Sequence, residues 1–123
     1  MQHIQGEERN QLQMFCLEQV IEADSFVRVI DFFVDSIDLA SFGFRHVSVK
    51  EEGRPPYHPA VLLKLYFYGY RYGVRSSRKL EREAKLNLEV RWLLCEQTPS
   101  ARTICMFRKE YADAFRNIFR KFV

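Results

Sequence analysis

An all-α fold, a compact multi-helix domain with a helix-turn-helix-like unit, follows from three features of the sequence. Apolar residues recur at three- and four-residue steps along most of the chain. Capping residues stand where several of these segments begin, and glycines stand where two of them end. Strand-like alternation is confined to Val47 and Val49, which leaves room for at most one short extended segment near 45–50. With 123 residues, 47% of them hydrophobic, the chain fits one domain with a real core.

Residues 1–11 are polar and without period, so they read as a flexible tail, and order is expected from Leu12. A helix follows from Asp24 or Ser25 to about Asp38. Its apolar side is Phe26, Val29, Ile30, Phe33 and Ile37, and Asp31, Asp35 and Asp38 lie on the other side. "LASFGF" predicts a short helical turn ended by Gly43. Residues 45–58 carry Gly53, Pro55 and Pro56, which forbid a regular helix, and form a connector between an acidic part (12–44) and a basic part (59–123). Pro59 suits a helix's first turn, and the helix it opens, to Tyr72, is apolar nearly all round, so it is buried or covered by a second chain. Ser76 or Ser77 caps the next helix, to about Leu86. "LEVRWLLC" makes a short one with Val90, Leu93 and Leu94 inward and Trp92 adjoining. After Thr98, Pro99 and Ser100 a last long helix carries the seam Ile104, Phe107, Tyr111, Phe115, Ile118 and Phe122. A seam reaching the end of the chain calls for cover by further polypeptide or by another subunit.

The formal charge of +3 hides an asymmetry. Residues 1–53 hold four Lys/Arg against ten Asp/Glu, whereas residues 54–123 hold fifteen against six. A basic half of this kind attracts polyanions, nucleic acid foremost among them. The apolar run from Ala60 is interrupted by Lys64 and is far short of the roughly 20 residues a membrane span needs, so no membrane partner is expected. Three separated cysteines fit neither a zinc site nor a disulfide framework, and are read as buried thiols of a cytosolic protein.

"GVRSSRKLERE", residues 73–83, concentrates the charge. At 100° per residue Arg75, Arg78, Lys79, Arg82 and Lys85 fall within about 120° of one another, opposite Leu80 and Ala84. On the last helix Arg102, Lys109, Arg116 and Arg120 fall within about 40°. The three final segments have the lengths and breaks of a helix-turn-helix unit, whose last helix enters the major groove. That places Arg102, Thr103, Met106 and Lys109 at the bases and Arg75, Arg78, Lys79 and Arg82 on the phosphates. Arg71, Lys85 and Arg108 complete the candidate surface. A solvated side chain is the competing reading for any one of these cations, and Glu81, Glu83 and Glu89 can compensate part of the stripe. Tyr57, Tyr66, Tyr68, Tyr70 and Tyr72 suit base stacking, but their crowding on an apolar helix favours the core. No catalytic constellation emerges: His3, His46 and His58 are isolated, His58 reading as a hydrogen-bonding residue at a helix start, and no glycine-rich phosphate loop exists. No metal, cofactor or small-molecule substrate is implied.

The stretch from "GRPPYHP" through "RSSRKLE" to "RWLLC" resembles the amino-terminal domain of bacterial insertion-sequence transposases of the DDE, InsH-like class. "RNQLQMF" and "FVRVIDFFVDSIDLASFGF" upstream and "RTICMFRKEY" downstream are similar to the same family, so the resemblance covers nearly the whole chain. It departs in "CEQTPSAR", which lacks the glycine frequent after Trp-Leu-Leu and the acidic residue frequent after the proline. The resemblance implies a bacterial cytoplasmic, nucleoid-associated DNA-binding domain that recognises the terminal inverted repeats of a mobile element. It also implies strand chemistry by a separate RNase H-like domain with two metal ions, and none by this chain. Neutralising about five phosphates predicts a salt slope near −4 to −5. The rival expectation is a protein-interaction module, pairing two copies as a homodimer through the aromatic helix and terminal seam, which charge at Phe115 or Ile118 would disrupt.

Overall fold

The structure is a computed structural model that describes residues 2–44 and 57–122. Among these residues it is all-helical: α1 (Leu17–Val20), α2 (Phe26–Asp35), a 3-10 turn (Leu39–Phe42), α3 (Pro59–Tyr72), α4 (Ser77–Leu86), α5 (Leu88–Leu93), α6 (Ala101–Glu110) and α7 (Ala112–Phe122). The extended segment expected near 45–50 lies outside the described residues.

Helix α3 is the axis. His58 Nδ1 accepts the Ala60 N–H at 3.0 Å and Pro59 occupies the first turn, so the amino end is satisfied by local chemistry. Its carboxyl end is closed by Gly73 at φ 74°, a left-handed conformation that costs glycine nothing. Leu62, Leu63, Leu65, Tyr66, Phe67 and Tyr68 are buried, against α2, α4 and α5. One turn before its end, Gly69 meets the incoming chain. A Cβ there would stand 2.4 Å from the Val74 carbonyl oxygen and 3.1 Å from the Leu80 side chain, so only hydrogen fits. Tyr66 and Tyr68 are core residues, whereas Tyr70 and Tyr72 emerge at the helix end, 56% and 44% exposed.

The acidic helix α2 is rotated from its expected phase. Val27, Ile30 and Val34 are the buried residues, and Val29 stands half exposed. The acidic flank of this phase faces Lys64 of α3, whose ammonium lies 2.7 Å from Asp31 and 2.9 Å from Asp35. Burial by itself lowers the Lys64 pKa, but the hydrogen bonds its ammonium donates to Asp31 and Asp35 outweigh it and leave it raised. The helix also stops at Asp35, a turn earlier than expected. Ser36 closes it with backbone bonds, and its hydroxyl donates to the Phe33 carbonyl at 2.8 Å. Upstream, α1 is a single turn the apolar pattern did not announce, and Leu12 and Met14 stand exposed before it. Arg28 fastens α1 to α2 by pairing with Glu18 and donating to the carbonyls of Glu18, Ile21 and Glu22.

The expected long terminal helix is two. At Tyr111 (φ −114°, ψ 32°) the chain bends into α7, and the elbow holds Phe44, whose ring centroid lies 5.8, 5.4 and 5.7 Å from those of Phe107, Tyr111 and Phe115. Gly43, at φ 96°, ends the predicted 3-10 turn and delivers Phe44 there. The bend returns α7 to its own chain. Phe122 packs on Phe26, Phe33 and Phe67 at 6.3, 4.9 and 4.4 Å, and Phe115 and Ile118 are buried. The seam expected to need outside cover is thus closed internally, and the bend separates Arg116 and Arg120 from the helix that carries Arg102 and Lys109. The cysteines are corrected as well: Cys16 and Cys95 are exposed and Cys105 is half-buried, because Cys16 stands extended before α1, Cys95 sits in a turn and Cys105 lies on the flank of α6.

Candidate nucleic-acid interface

Helix α4 begins where Ser76 accepts the Lys79 N–H and turns only Leu80 and Ala84 into the core. Its remaining face is left to charge. A single residue, Asn87, separates it from α5 and serves both: its side-chain oxygen accepts the N–H groups of Glu89 and Val90, and its amide donates to Glu83 and to the Tyr68 hydroxyl. Burial, then the Glu83 carboxylate, push the Tyr68 phenol up to about 12, so it stays protonated in this network. Val90, Leu93 and Leu94 are buried as the pattern predicts. Trp92 is half-buried, with its indole N–H on Glu18 at 2.7 Å and Arg28 over its ring.

Residues 94–100 then connect α5 to α6. Cys95 and Glu96 hold φ of 51° and 66°, in the region glycine favours, at the place where the sequence departs from the resembled pattern. Arg91 secures this turn with a two-pronged pair to Glu96 at 2.7 and 2.8 Å. Helix α6 starts at Ser100, which accepts the Thr103 N–H at 3.2 Å, and buries Ile104 and Phe107.

The predicted cations are exposed on these elements. Among the described residues Arg75, Arg78, Lys79, Arg82, Arg102 and Lys109 make no ion pair, whereas Lys85 meets Glu81 at 3.1 Å. On α4, Arg78, Arg82 and Lys85 lie within about 60° of one another, away from Leu80 and Ala84, with Lys79 to one side. On α6, Arg102, Met106 and Lys109 share an outward sector of about 60°, with Met106 55% exposed and Thr103 half-buried beside it. Two predicted residues sit apart. Arg108 lies on the inner flank of α6, 6.0 Å from the Tyr66 ring, and Arg71 is held over the rings of Phe26 and Tyr72.

One residue of this region was credited too little. Glu81, read as a local partner for the stripe, also accepts the Ala101 N–H at 3.0 Å and so joins α4 to the first turn of α6. Its place four residues before Lys85 signals the ion pair; no local pattern signals a contact twenty residues away.

A family profile described as a transposase domain (DUF772) matches residues 15–110, from before α1 to the end of α6. The chain belongs to this family. No curated protein and no solved structure matches it. The transposase domain so defined contains α4, α5 and α6 entire, with both outward cationic faces. Among its described residues no group of His, Cys, Asp and Glu side chains is placed to hold a metal ion, and no helix is long and apolar enough to cross a membrane.

Proposed function

We propose that this chain is the DNA-binding part of an InsH-like, DDE-class transposase, that it recognises the terminal inverted repeats of an insertion sequence, and that it binds without cutting. The observation that carries the reading is the set of cations on α4 and α6 without a carboxylate partner. Like charges gathered on one face repel, and a polyphosphate backbone relieves that repulsion. Helices α4, α5 and α6 act in this reading as the helix-turn-helix unit. The outward sector of α6 (Arg102, Thr103, Met106, Lys109) meets base edges, and Arg75, Arg78, Lys79 and Arg82 hold phosphates. The single-residue junction at Asn87 joins α5 to α4, and α4 packs on α6.

The test is a gel-shift series, over several salt concentrations, with a duplex that the chain selects from a randomised library and with a scrambled control. A log-log slope near −4 to −5, for about five phosphates, is expected, with tighter binding of the selected duplex. Absence of binding at low salt removes the reading. A second reading, homodimer formation, is supported by α2, where Phe32 is 76% and Val29 50% exposed. The seam first considered for pairing is buried inside the chain, so charge at Phe115 or Ile118 unfolds the domain before it separates subunits.

A further inference from the structure

We infer that Glu81 is a positioning residue that fixes the aim of α6 relative to α4, and thereby sets how well the domain tells its DNA sequence from others. The inference rests on the DNA-binding reading and adds to it a determinant of specificity that touches no base.

Among the described residues, polar contacts from α3 and α4 reach α6. Near its middle the Tyr66 hydroxyl of α3 donates to the Ile104 carbonyl, inside the core. At its amino end the Glu81 carboxylate of α4 accepts the Ala101 N–H. Apolar packing, with Leu80, Ala84 and Ile104 buried and the Phe44 ring against Phe107 at the far end, holds α6 in place, and the Glu81 bond adds a directional contact at its first turn. Glu81 is suited to the task because its side chain is largely covered, Lys85 meets its other oxygen at 3.1 Å, and the amino end of a helix favours negative charge. Lys85 first, and the Ala101 N–H second, hold the Glu81 carboxyl below the usual carboxylate range, so it stays ionised near neutral pH.

Without this carboxylate the first turn of α6 loses its tie to α4, while the Tyr66 bond and the buried Ile104 and Phe107 hold the rest of the helix. The residues nearest the freed end, Arg102 and Thr103, are those assigned to base edges, whereas Arg75, Arg78, Lys79 and Arg82 stand on or before the other helix. Discrimination is therefore lost while backbone attraction persists. Removing one negative charge also releases Lys85 from its partner, which favours any duplex.

The experiment compares wild type, Glu81→Ala, Glu81→Gln and Ile30→Val, the last a core change in α2 that lowers stability without touching α4 or α6. Each is measured on the selected and the scrambled duplex, after its melting curve shows a folded population. Glu81→Ala is expected to bind scrambled DNA at least as well as wild type and to lose about tenfold of the preference for the selected duplex, equivalent to ~1.4 kcal/mol. Glu81→Gln, which keeps an oxygen acceptor for Ala101, is expected to recover most of it. Ile30→Val should keep the full preference. Retention of preference by Glu81→Ala overturns the inference and leaves the DNA-binding reading intact, as does an equal loss on both duplexes that tracks the melting temperature. Failure of the wild type to bind either duplex takes down both.

Discussion

Helices α2 and α4 are each ten residues long, and they use their charged residues in opposite ways. On α2 the charge is answered within the chain: Asp31 and Asp35 meet Lys64, and Arg28 meets Glu18 and three carbonyls. On α4, Arg78, Lys79 and Arg82 meet no carboxylate among the described residues. A charge paired across helices does structural work, and removing one partner leaves the other stranded. Unpaired charges that crowd one face destabilise it slightly, and they are available to something outside the chain. Net charge conceals this division of labour; pairing reveals it.

The widest separation between the two helices should come from replacing Arg78, Lys79 and Arg82 together with glutamine. Affinity for duplex DNA is expected to fall about a hundredfold at low salt, ~3 kcal/mol, with the melting temperature unchanged or slightly higher. A melting temperature that falls with affinity would show that α4 is charged for structural reasons, as α2 is. Lys64→Ala is the mirror experiment. It leaves Asp31 and Asp35 facing each other one turn apart, and urea unfolding should register a loss of about 2 kcal/mol, with DNA affinity of the folded fraction unchanged. The smallest effect concerns the connection that aims α6. Cys95 holds φ 51°, and Cys95→Gly should stabilise the domain by about 1 kcal/mol in the same unfolding measurement, without altering the salt slope.

What could be read from the sequence, and what could not, divides along the same line. The bounds of α3 were legible because Pro59, His58 and Gly73 act within a few residues of where they stand. The inward side of α5 was legible for a similar reason, since few apolar patterns fit so short a segment. The phase of α2 was not. "FVRVIDFFVD" is apolar at most positions, so neighbouring phases satisfy the periodicity equally well, and the partner of its acidic flank, Lys64, stands thirty-three residues from Asp31. Nor was the elbow at Tyr111, where no glycine or proline marks a break and where the Phe44 ring packs from another part of the chain. At the candidate interface, the exposure of the cations could be anticipated from their helical spacing. The bond from Glu81 to Ala101 joins groups with no sequence relation, and only tertiary packing reveals it.

The bare backbone at Gly69 bears on all of this. With Val74's oxygen lodged where a methyl would go, the start of α4 hangs from the end of α3 with no cushion between them. Helix α4 extends about 15 Å from that hinge. A substituent that tilted it by only about 10° would swing its far end some 2.5 Å, by simple lever geometry on that length. One hydrogen atom at position 69 therefore keeps the row of cations on α4 at the tilt the fold gives it.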